Sequence, residues 1–422
     1  MGKHILITSI PCWNQKTGSN TFSSLFEDFE SESLANIYIG TDLPDSKVCS
    51  RYFGIREWDV VKSVYKRKIK TGEEVYVQDA NVNESNIVDK SKQYARKRRR
   101  IFLWMRELAW KLGKWKGKEL NAFLDDFNPE VLVFPIESYP YFNRLNEYII
   151  KKCKPKKVIG YLWDDNFTYK QHPHSLLRKV ERYFLRKQVR RLVELCTDVL
   201  AISPKMKAEC DAEFGVDSIV LTKPINQLNQ FVDYTVQKPV NVLYTGKLNI
   251  GRDQTLIKII DVLEKGNYSP DELQINVYTN SDLSSEIKNR LETSGFCHMH
   301  PPVPQSKVFE LQSKADVLLF LESMSNEDLT ARLSFSTKLT DYFAAGKCIW
   351  AIGNHDLGPI AYIRSETAGI VSCNMKEIAT AISEIIDNTK CISDFARKAY
   401  DCGRRNHSYD LIINRLYDVI NK

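Results

Sequence analysis

Three cations and one glycine in the second half of the chain have the positions that a phosphate site needs. Gly246 and Lys247 follow an apolar run that predicts a strand, Val240–Thr245, and Arg252 comes shortly afterwards. Lys338 lies near the start of a predicted helix, where free backbone N–H groups favour an anion. Glycine lets the backbone approach a phosphate closely, and cations offset its charge. These residues therefore predict a site for a phosphorylated ligand at one end of a sheet.

The helix that carries Lys338 is well marked in the sequence. Ser336 is a good N-cap, Thr337 opens the helix, and Gly346 is suited to the left-handed residue that ends it. Lys338 and Asp341 are three residues apart, so they share one face of the helix. A carboxylate one turn after the cation can accept hydrogen bonds from sugar hydroxyl groups. An ordinary surface helix with a solvated Lys and Asp is the alternative that this pattern leaves open.

A second group of polar residues follows predicted strands in the first half of the chain. Asp164 and Asp165 come after the apolar run Val158–Leu162, and Glu137 comes after Val131–Phe134. The carboxyl ends of parallel strands share one edge of a sheet, where a ligand crevice forms. We interpret Asp164 and Asp165 as catalytic residues that orient an acceptor hydroxyl group rather than bind a metal ion, and Glu137 as an acceptor-binding residue. An Asp pair that only caps a turn is the alternative.

Three further candidates for acceptor binding lie in the same half. Gly18 and Ser19 follow the first predicted strand, His4–Thr8, at the place where an open parallel sheet has its crevice. His172 follows the aspartate pair closely in sequence and is a weaker candidate for the same acceptor. A plain turn between a strand and a helix explains Gly18 and Ser19 equally well.

The elements that must position these residues alternate between strand and helix in both halves of the chain. Strands joined by helices of this length predict right-handed crossovers and doubly wound parallel sheets. A polar stretch without clear periodicity, residues 223–239, predicts a linker. We therefore expect an N-terminal acceptor-binding domain at residues 1–222, a C-terminal donor-binding domain at residues 240–400 and a final helical segment at residues 401–422.

Length and composition exclude several classes of protein. The 422 residues exceed one compact core, and a hydrophobic content of 43% is that of a globular chain. No apolar run reaches the roughly eighteen residues of a membrane-spanning helix, and the first residues are too polar for a signal peptide. The 10 cysteines are scattered without metal-binding spacing, so we expect reduced thiols in a cytoplasmic protein.

The cations behind the net charge of +7 are clustered. Arg96–Arg100 are consecutive cations, and apolar residues follow at helical spacing from Ile101 to Trp115. This composition is typical of a helix that lies on an anionic membrane, and the run Arg178–Arg191 mixes cations with aromatic residues in a similar way. A helix packed on the core with a solvated cationic face is the alternative. Nucleic-acid binding is less favoured, because no recognised nucleic-acid motif accompanies the charge.

Two stretches carry a resemblance to a known family. The run from Ser334 to Gly346, SFSTKLTDYFAAG, resembles the donor-binding segment of the retaining glycosyltransferases of family 4. The stretch AISPKMKAECDAEFGVDSIVLTKPI is similar to the end of the N-terminal domain in that family. The resemblance implies the GT-B fold, an α/β architecture in which two Rossmann-like, doubly wound parallel-sheet domains face each other across a cleft. It also implies that the last helix returns to the first domain.

The same resemblance suggests roles for individual residues. The loop of Lys247 and Arg252 corresponds to the family's loop for the donor diphosphate, with Lys247 in place of an arginine and Arg252 as a substitute for a lysine. Asp341 stands where the family has the glutamate that holds the nucleotide ribose, and Val303 lies in the region that holds the nucleobase. The family's other glutamate falls at Leu333, so the contact to the donor sugar stays unassigned.

We therefore predict a hexosyltransferase-type glycosyltransferase that needs no metal or other cofactor. The expected donor is a nucleotide-sugar, and the expected acceptor is a saccharide, lipid-linked at the inner face of the plasma membrane, in the synthesis of cell-surface polysaccharide. Retention of the anomeric configuration is implied by the resemblance alone. The alternatives are a nucleotide-sugar epimerase on the same fold and a non-catalytic nucleotide-sugar-binding protein, the latter because of Leu333.

Overall fold

Two β-sheets organise the chain. The computed structural model describes residues 3–14, 21–66, 68–77, 100–171, 175–226, 228, 230–327 and 329–422. The first sheet takes its strands from residues 5–220 and the second from residues 240–372. The expected linker lies between these two groups of strands.

The N-terminal sheet is parallel except at one edge. Among the described residues its strands are β1 Ile5–Ser9, β2 Leu34–Ile39, β3 Arg51–Ile55, β4 Gly72–Val75, β5 Val131–Pro135, β6 Lys157–Leu162, β7 Asp198–Ala201 and β8 Ile219–Val220. They lie in the order β4-β3-β2-β1-β5-β6-β7-β8, and β3 pairs with β4 in the antiparallel direction. The central strands β1, β2 and β5 are buried on both faces, which explains their continuous apolar sequences.

The C-terminal sheet is parallel throughout its described pairings. Its strands are β9 Val240–Thr245, β10 Leu273–Tyr278, β11 Cys297–His300, β12 Val317–Leu321, β13 Cys348–Ile352 and β14 Ile370–Ser372. They lie in the order β11-β10-β9-β12-β13-β14. The register places Val317 and Leu318 of β12 beside Val242 and Leu243 of β9. These two strands form the centre of the sheet.

Helices connect the strands in both halves. In the first half the described helices are α1 Thr21–Leu25, α2 Glu57–Ser63, α3 Arg100–Leu112, α4 Lys118–Phe127, α5 Pro140–Cys153, α6 Leu176–Leu195 and α7 Pro204–Phe214, with a 3₁₀ turn at Ser31–Ser33. In the second half they are α8 Arg252–Lys265, α9 Ser285–Glu292, α10 Gln305–Lys314, α11 Thr337–Ala345, α12 Gly358–Ser365, α13 Met375–Asp387, α14 Thr389–His407 and α15 Tyr409–Asn421.

Helix boundaries agree with the sequence where a capping residue marks them. Ser203 caps α7 through its hydroxyl group, which accepts a backbone hydrogen bond at 3.0 Å. Ser336 occupies the N-cap position of α11, and Gly346 follows its end with φ 61°, both as predicted. Helix α8 begins at Arg252, so this cation belongs to the first turn of a helix rather than to the loop in which the sequence placed it.

In both sheets the strand order reverses beside the first strand of the sheet. β1 lies between β2 and β5, and β9 lies between β10 and β12. In open α/β sheets such a reversal leaves a crevice at the carboxyl ends of the strands. Residues that directly follow β1, β5, β9 and β12 are therefore positioned to bind ligands.

The last helix, α15, lies against the N-terminal half of the chain. The ring of Tyr417 stacks on Phe29, with the ring centroids 4.4 Å apart. Just before α15, the buried His407 contacts Thr222 Oγ1 and Tyr362 Oη at 2.8 Å each. Burial lowers the pKa of His407 to about 3, so its ring stays neutral and joins the two halves through hydrogen bonds.

The basic amphipathic stretch belongs in part to the core. Helix α3 begins at Arg100, and the cations Arg96–Arg99 lie outside the described residues. Trp115, predicted to belong to the apolar stripe on the membrane, is buried with Trp110, and the two ring centroids are 5.9 Å apart. This part of the prediction is wrong, because the helix ends at Leu112 and the chain that follows it buries Trp115 in the protein. Other apolar residues of α3 are exposed.

Candidate functional site

Gly246 and Lys338 meet at the carboxyl edge of the C-terminal sheet. Gly246 directly follows β9 with φ 134°, a conformation that favours glycine. A Cβ atom at this position would overlap the end of the Lys338 side chain, so glycine is also the residue that leaves room for it. Lys338 lies in the first turn of α11, as predicted. The two elements therefore place an ammonium group at the crevice between β9 and β12.

Lys338 is held at this edge by an aromatic ring. Its Nζ lies 4.6 Å from the centroid of the Tyr244 ring and 3.4 Å from the Tyr244 hydroxyl group. Burial, with the positive charge of Arg252 as a second cause, lowers the pKa of Lys338 to about 8, and the carboxylate of Glu322 opposes the change. An anion bound beside Lys338 would restore its preference for the charged form.

Arg252 lies beside Lys338 and is already paired with a carboxylate. Its Nη2 lies 3.0 Å and 2.9 Å from the two carboxylate oxygens of Glu322, and its Nε donates to the Leu321 carbonyl at 3.0 Å. Glu322 directly follows β12, and its side chain is only 5% exposed. The sequence did not single out Glu322, although an acidic residue directly after a buried strand marks this edge of the sheet.

Two other predicted donor-binding residues follow strands of the same sheet. Lys247 is exposed, and the Tyr244 hydroxyl group donates a hydrogen bond to its backbone carbonyl at 2.6 Å. Val303 is half-buried in the loop between β11 and α10. Nearby, His300 at the end of β11 stacks on Tyr278 with the ring centroids 4.5 Å apart.

The remaining predicted donor-binding residues belong to α11 and its N-cap. Ser336 makes no side-chain capping bond, so its hydroxyl group is not used to close the helix start. Thr337 is half-buried at the first position of the helix. Asp341 forms an ion pair with Lys223 of the linker segment, at 3.0 Å between Nζ and Oδ1. A ligand hydroxyl group at Asp341 would have to share this carboxylate with Lys223.

An acidic cavity of about 330 Å³ opens at the N-terminal sheet. Its walls include Glu137 after β5 and Trp163 and Asp164 after β6, as the order of the strands predicts. Ser334 and Phe335, which directly precede α11, line the same cavity from the C-terminal half. The cavity thus lies between the predicted acceptor-binding residues and the helix that carries Lys338.

The two carboxylates of the cavity hold their protons more tightly than usual. Burial raises the pKa of Glu137 to about 7, with the negative charge of Asp164 as a second cause and a hydrogen bond from Trp163 opposing it. Asp164 reaches solvent, yet the surrounding walls desolvate it and Asp165 repels it, so its pKa is also raised. At neutral pH Glu137 is therefore poised to exchange a proton, and Asp164 can accept a hydrogen bond.

Asp165 does not reach the cavity. Its side chain is fully buried and accepts hydrogen bonds from the backbone N–H of Thr168 at 2.9 Å and from the Thr168 hydroxyl group. Its Oδ2 also lies 3.6 Å from Nη2 of Arg332. The predicted pair is therefore divided, with Asp164 open to a ligand while Asp165 holds a turn.

The loop before α11 is fixed to the N-terminal half. Arg332, 3% exposed, forms an ion pair with Glu209 of α7 in addition to its contact with Asp165. Ser203 Oγ donates to the Leu333 carbonyl at 2.9 Å. These contacts position Ser334 and Phe335 at the cavity, so Arg332 acts on the site through its neighbours.

Three predicted acceptor-binding residues, Gly18, Ser19 and His172, lie outside the described residues. Within the described ranges, no group of three or more His, Cys, Asp and Glu side chains is arranged to hold a metal ion. In the same part of the chain, no helix has the length and apolar character to cross a membrane.

Solved structures share this architecture over nearly the whole chain. HepE of Anabaena, crystallised with UDP, matches 99% of this chain and 99% of its own length with a TM-score of 0.62 at 10% identity. Sucrose-phosphate synthase of Thermosynechococcus elongatus gives a TM-score of 0.62 at 10% identity, over 99% of this chain and 98% of its own. The chain has the GT-B fold. The predicted fold class is confirmed.

A partial match to a larger protein agrees with this GT-B assignment. TarM of S. aureus is similar over 71% of this chain, with a TM-score of 0.52 at 12% identity, and the match spans 57% of TarM itself. No protein-family model matches the sequence, and neither does the sequence of any curated protein. At these identities the structural matches establish the fold alone.

Proposed function

We propose that this GT-B protein is a glycosyltransferase that moves a sugar from a nucleotide-sugar to a saccharide acceptor. One observation carries the proposal: the cations Lys338 and Arg252 lie on one side of α11 and its preceding loop, and the carboxylates Glu137 and Asp164 lie on the other. HepE has been crystallised with UDP and with UDP-glucose, which favours a uridine nucleotide as the donor to test first.

The donor diphosphate would bind at the carboxyl edge of β9 and β12. Lys338 and Arg252 supply positive charge, Gly246 leaves the backbone open, and the N–H groups at the start of α11 add to the field. Because these groups are fixed before the ligand arrives, they stabilise the leaving diphosphate without reorganisation. Lys247 and Thr337 are candidates for further phosphate contacts.

The rest of the nucleotide would extend along the same edge. We assign Val303 to the nucleobase through its backbone and Asp341 to the ribose, as the resemblance to family 4 implies. Ser336, whose hydroxyl group makes no capping bond, is a candidate for the diphosphate or the sugar.

The acceptor saccharide would enter the acidic cavity. Glu137 and Asp164 accept hydrogen bonds from sugar hydroxyl groups, and Trp163 offers a ring for the face of the sugar. We assign the orientation of the attacking hydroxyl group to Asp164, and a supporting role for its loop to Asp165. Gly18, Ser19 and His172 remain proposals for the same acceptor.

The resemblance to family 4 supports a retaining transfer of a hexosyl group and a place in cell-surface polysaccharide synthesis. Lys338 and Arg252 supply the charge that a divalent ion would bring to the diphosphate, which supports a metal-independent reaction. A non-catalytic nucleotide-sugar-binding protein is the second candidate, because Leu333 is fully buried in the core at the position where the family has a glutamate.

Proton NMR of the purified protein with a panel of nucleotide-sugars separates these two functions. A transferase slowly hydrolyses its donor when no acceptor is present and releases a nucleoside diphosphate, whereas a binding protein broadens the ligand signals without consuming the ligand. Hydrolysis that disappears in Lys338→Met and persists in Lys347→Met, a change just beyond the other end of α11, would support the assignment. Absence of both binding and hydrolysis across the panel would refute it.

A further inference from the structure

Helix α3 has an exposed apolar stripe. Trp104, Leu108 and Leu112 are spaced by four residues and are 57%, 56% and 58% exposed. Residues at this spacing lie on one face of a helix. The opposite side of α3 packs on the protein through the buried Trp110. The stripe is therefore an outward surface that the fold leaves uncovered among the described residues.

Helix α6 has a second stripe of the same kind. Leu176, Val180 and Phe184 are spaced by four residues and are 80%, 55% and 66% exposed, with Tyr183 beside them. The two helices both pack on α5, and Trp104 Nε1 donates to Glu181 Oε1 at 3.3 Å. The two stripes thus join, and the α3–α6 face consists of Trp104, Leu108, Leu112, Leu176, Val180, Tyr183 and Phe184.

Exposed cations border this face. Lys179 is exposed on α6 beside Tyr183, Lys111 is exposed on α3, and neither forms an ion pair among the described residues. Lys187 lies 4.5 Å from the centroid of the Tyr183 ring, where it covers the edge of the face. Apolar and aromatic residues on one side with cations along the border are the composition of a helix at a charged lipid surface. A neutral or basic protein partner would not use these cations.

The α3–α6 face lies close to the acidic cavity. Arg182 of α6 donates from Nη1 to the backbone carbonyl of Asp165 at 3.0 Å. Asp164, the neighbouring residue, lines the cavity. The loop that binds the acceptor is therefore attached to the helix that carries half of the face.

We propose that the α3–α6 face lies on an anionic membrane, and that the acceptor keeps its lipid there while its saccharide enters the acidic cavity. The membrane contact rests on this face alone, whereas the statement about the acceptor rests on the proposed function. Burying several large apolar side chains in the headgroup region supplies affinity, and the bordering cations select anionic lipid.

Sedimentation of the full chain with two kinds of vesicle tests the membrane contact. We expect binding to vesicles of phosphatidylcholine and phosphatidylglycerol in equal parts, weaker binding to phosphatidylcholine alone, and a decrease with added salt. The double variant Trp104→Ser, Phe184→Ser should bind at least about tenfold less to the anionic vesicles. Val232→Ser, which removes an exposed apolar residue outside this face, should bind like the wild type.

A second double variant tests the contribution of the bordering cations to membrane binding. Lys179→Ser with Lys187→Ser should weaken binding to anionic vesicles about tenfold or more at low salt and leave the weak binding to neutral vesicles unchanged. Lys376→Ser, an exposed cation on α13, is the matched control. Equal sedimentation with both kinds of vesicle, or unchanged binding of both double variants, would overturn the proposal. Self-association that the apolar variant abolishes, without vesicle binding, would overturn it in favour of a second copy.

A UDP titration of the same samples keeps the two proposals apart. Vesicle binding without UDP binding would leave the membrane contact intact and remove the glycosyltransferase. UDP binding without vesicle binding would support the glycosyltransferase and overturn the membrane contact. With both in place, the apolar double variant should transfer sugar to a short-chain, soluble acceptor like the wild type and lose activity on the same saccharide embedded in vesicles.

Discussion

Replacing Lys338 by methionine should weaken donor binding and stabilise the free protein at the same time. Methionine keeps the length and most of the apolar stem, so it can remain beside Gly246 and the Tyr244 ring without the charge. A charge-assisted hydrogen bond to a phosphate is worth about 1.5–3 kcal/mol, so the affinity for UDP should fall about tenfold to a hundredfold.

The gain in stability follows from the pKa of Lys338. Burial lowers this pKa from 10.5 to about 8 in the folded protein. At about 1.4 kcal/mol per pH unit, and with some discount for the half-buried side chain, holding the charge costs about 2–3 kcal/mol. Below pH 8 Lys338 is charged in both folded and unfolded states, so the whole cost is present there. The cost disappears as the pH rises from 8 to 10.5, because the folded state then loses its proton first.

Two measurements check this prediction. Calorimetric titration with UDP gives the affinity, and urea unfolding at pH 7 and pH 10 gives the free energy of unfolding of each variant. Lys347→Met is the control, because Lys347 lies beyond the other end of α11, 3.6 Å above the Tyr234 ring. An unchanged UDP affinity in Lys338→Met would show that the diphosphate binds elsewhere. A loss of affinity without any gain in stability would show that Lys338 is better solvated than its position beside Gly246 implies.

Three further predictions concern the rest of the site. Glu137→Gln should be about 2 kcal/mol more stable than the wild type at pH 8 and equally stable at pH 4. The reason is that the folded protein keeps the Glu137 proton up to about pH 7, whereas the unfolded chain releases it near pH 4.5. Urea unfolding at both pH values measures this difference. Arg332→Met should lower the free energy of unfolding by about 3 kcal/mol, since Glu209 and Asp165 lose their buried partner. The control Arg364→Met removes an exposed ion pair and should lower the free energy of unfolding by less than about 1 kcal/mol. Transfer activity should persist in excess chelator, and a loss that magnesium or manganese restores would refute the assignment of phosphate charge to Lys338.

The sequence predicted most strands of the fold because their apolar runs are continuous. It missed β3, Arg51–Ile55, which is short and interrupted by Gly54. A glycine inside a strand usually weakens the prediction, yet a Cβ atom at Gly54 would lie 2.8 Å from the Tyr38 hydroxyl group. Only the packing between two neighbouring strands shows why glycine stands there.

The candidate site was predictable where strand ends bring residues together. Lys338 and Arg252 lie close together because each belongs to the first turn of a helix, and both helices begin at the carboxyl edge of the same parallel sheet. Glu322 is 70 residues from Arg252 in sequence, and Glu209 is 123 residues from Arg332, so neither ion pair has a local pattern. The sequence also could not show that Asp164 faces the cavity while Asp165 is buried. The buried position of Asp165 depends on its contact with Arg332, which is distant in sequence.

The pairing of Arg252 with Glu322 means that a carboxylate of the protein itself already neutralises one of the two cations at the proposed diphosphate site. A ligand has to compete with this carboxylate, which accepts three hydrogen bonds from one guanidinium group. Chloride brings one charge and cannot reproduce that geometry, whereas a diphosphate can contact Arg252 and Lys338 together and leave Glu322 to a hydroxyl group of the sugar. The site would thus bind the small anions of a cell only weakly. Replacing acetate by chloride at constant ionic strength should accordingly leave the UDP affinity of the wild type unchanged, and in Glu322→Gln chloride should compete.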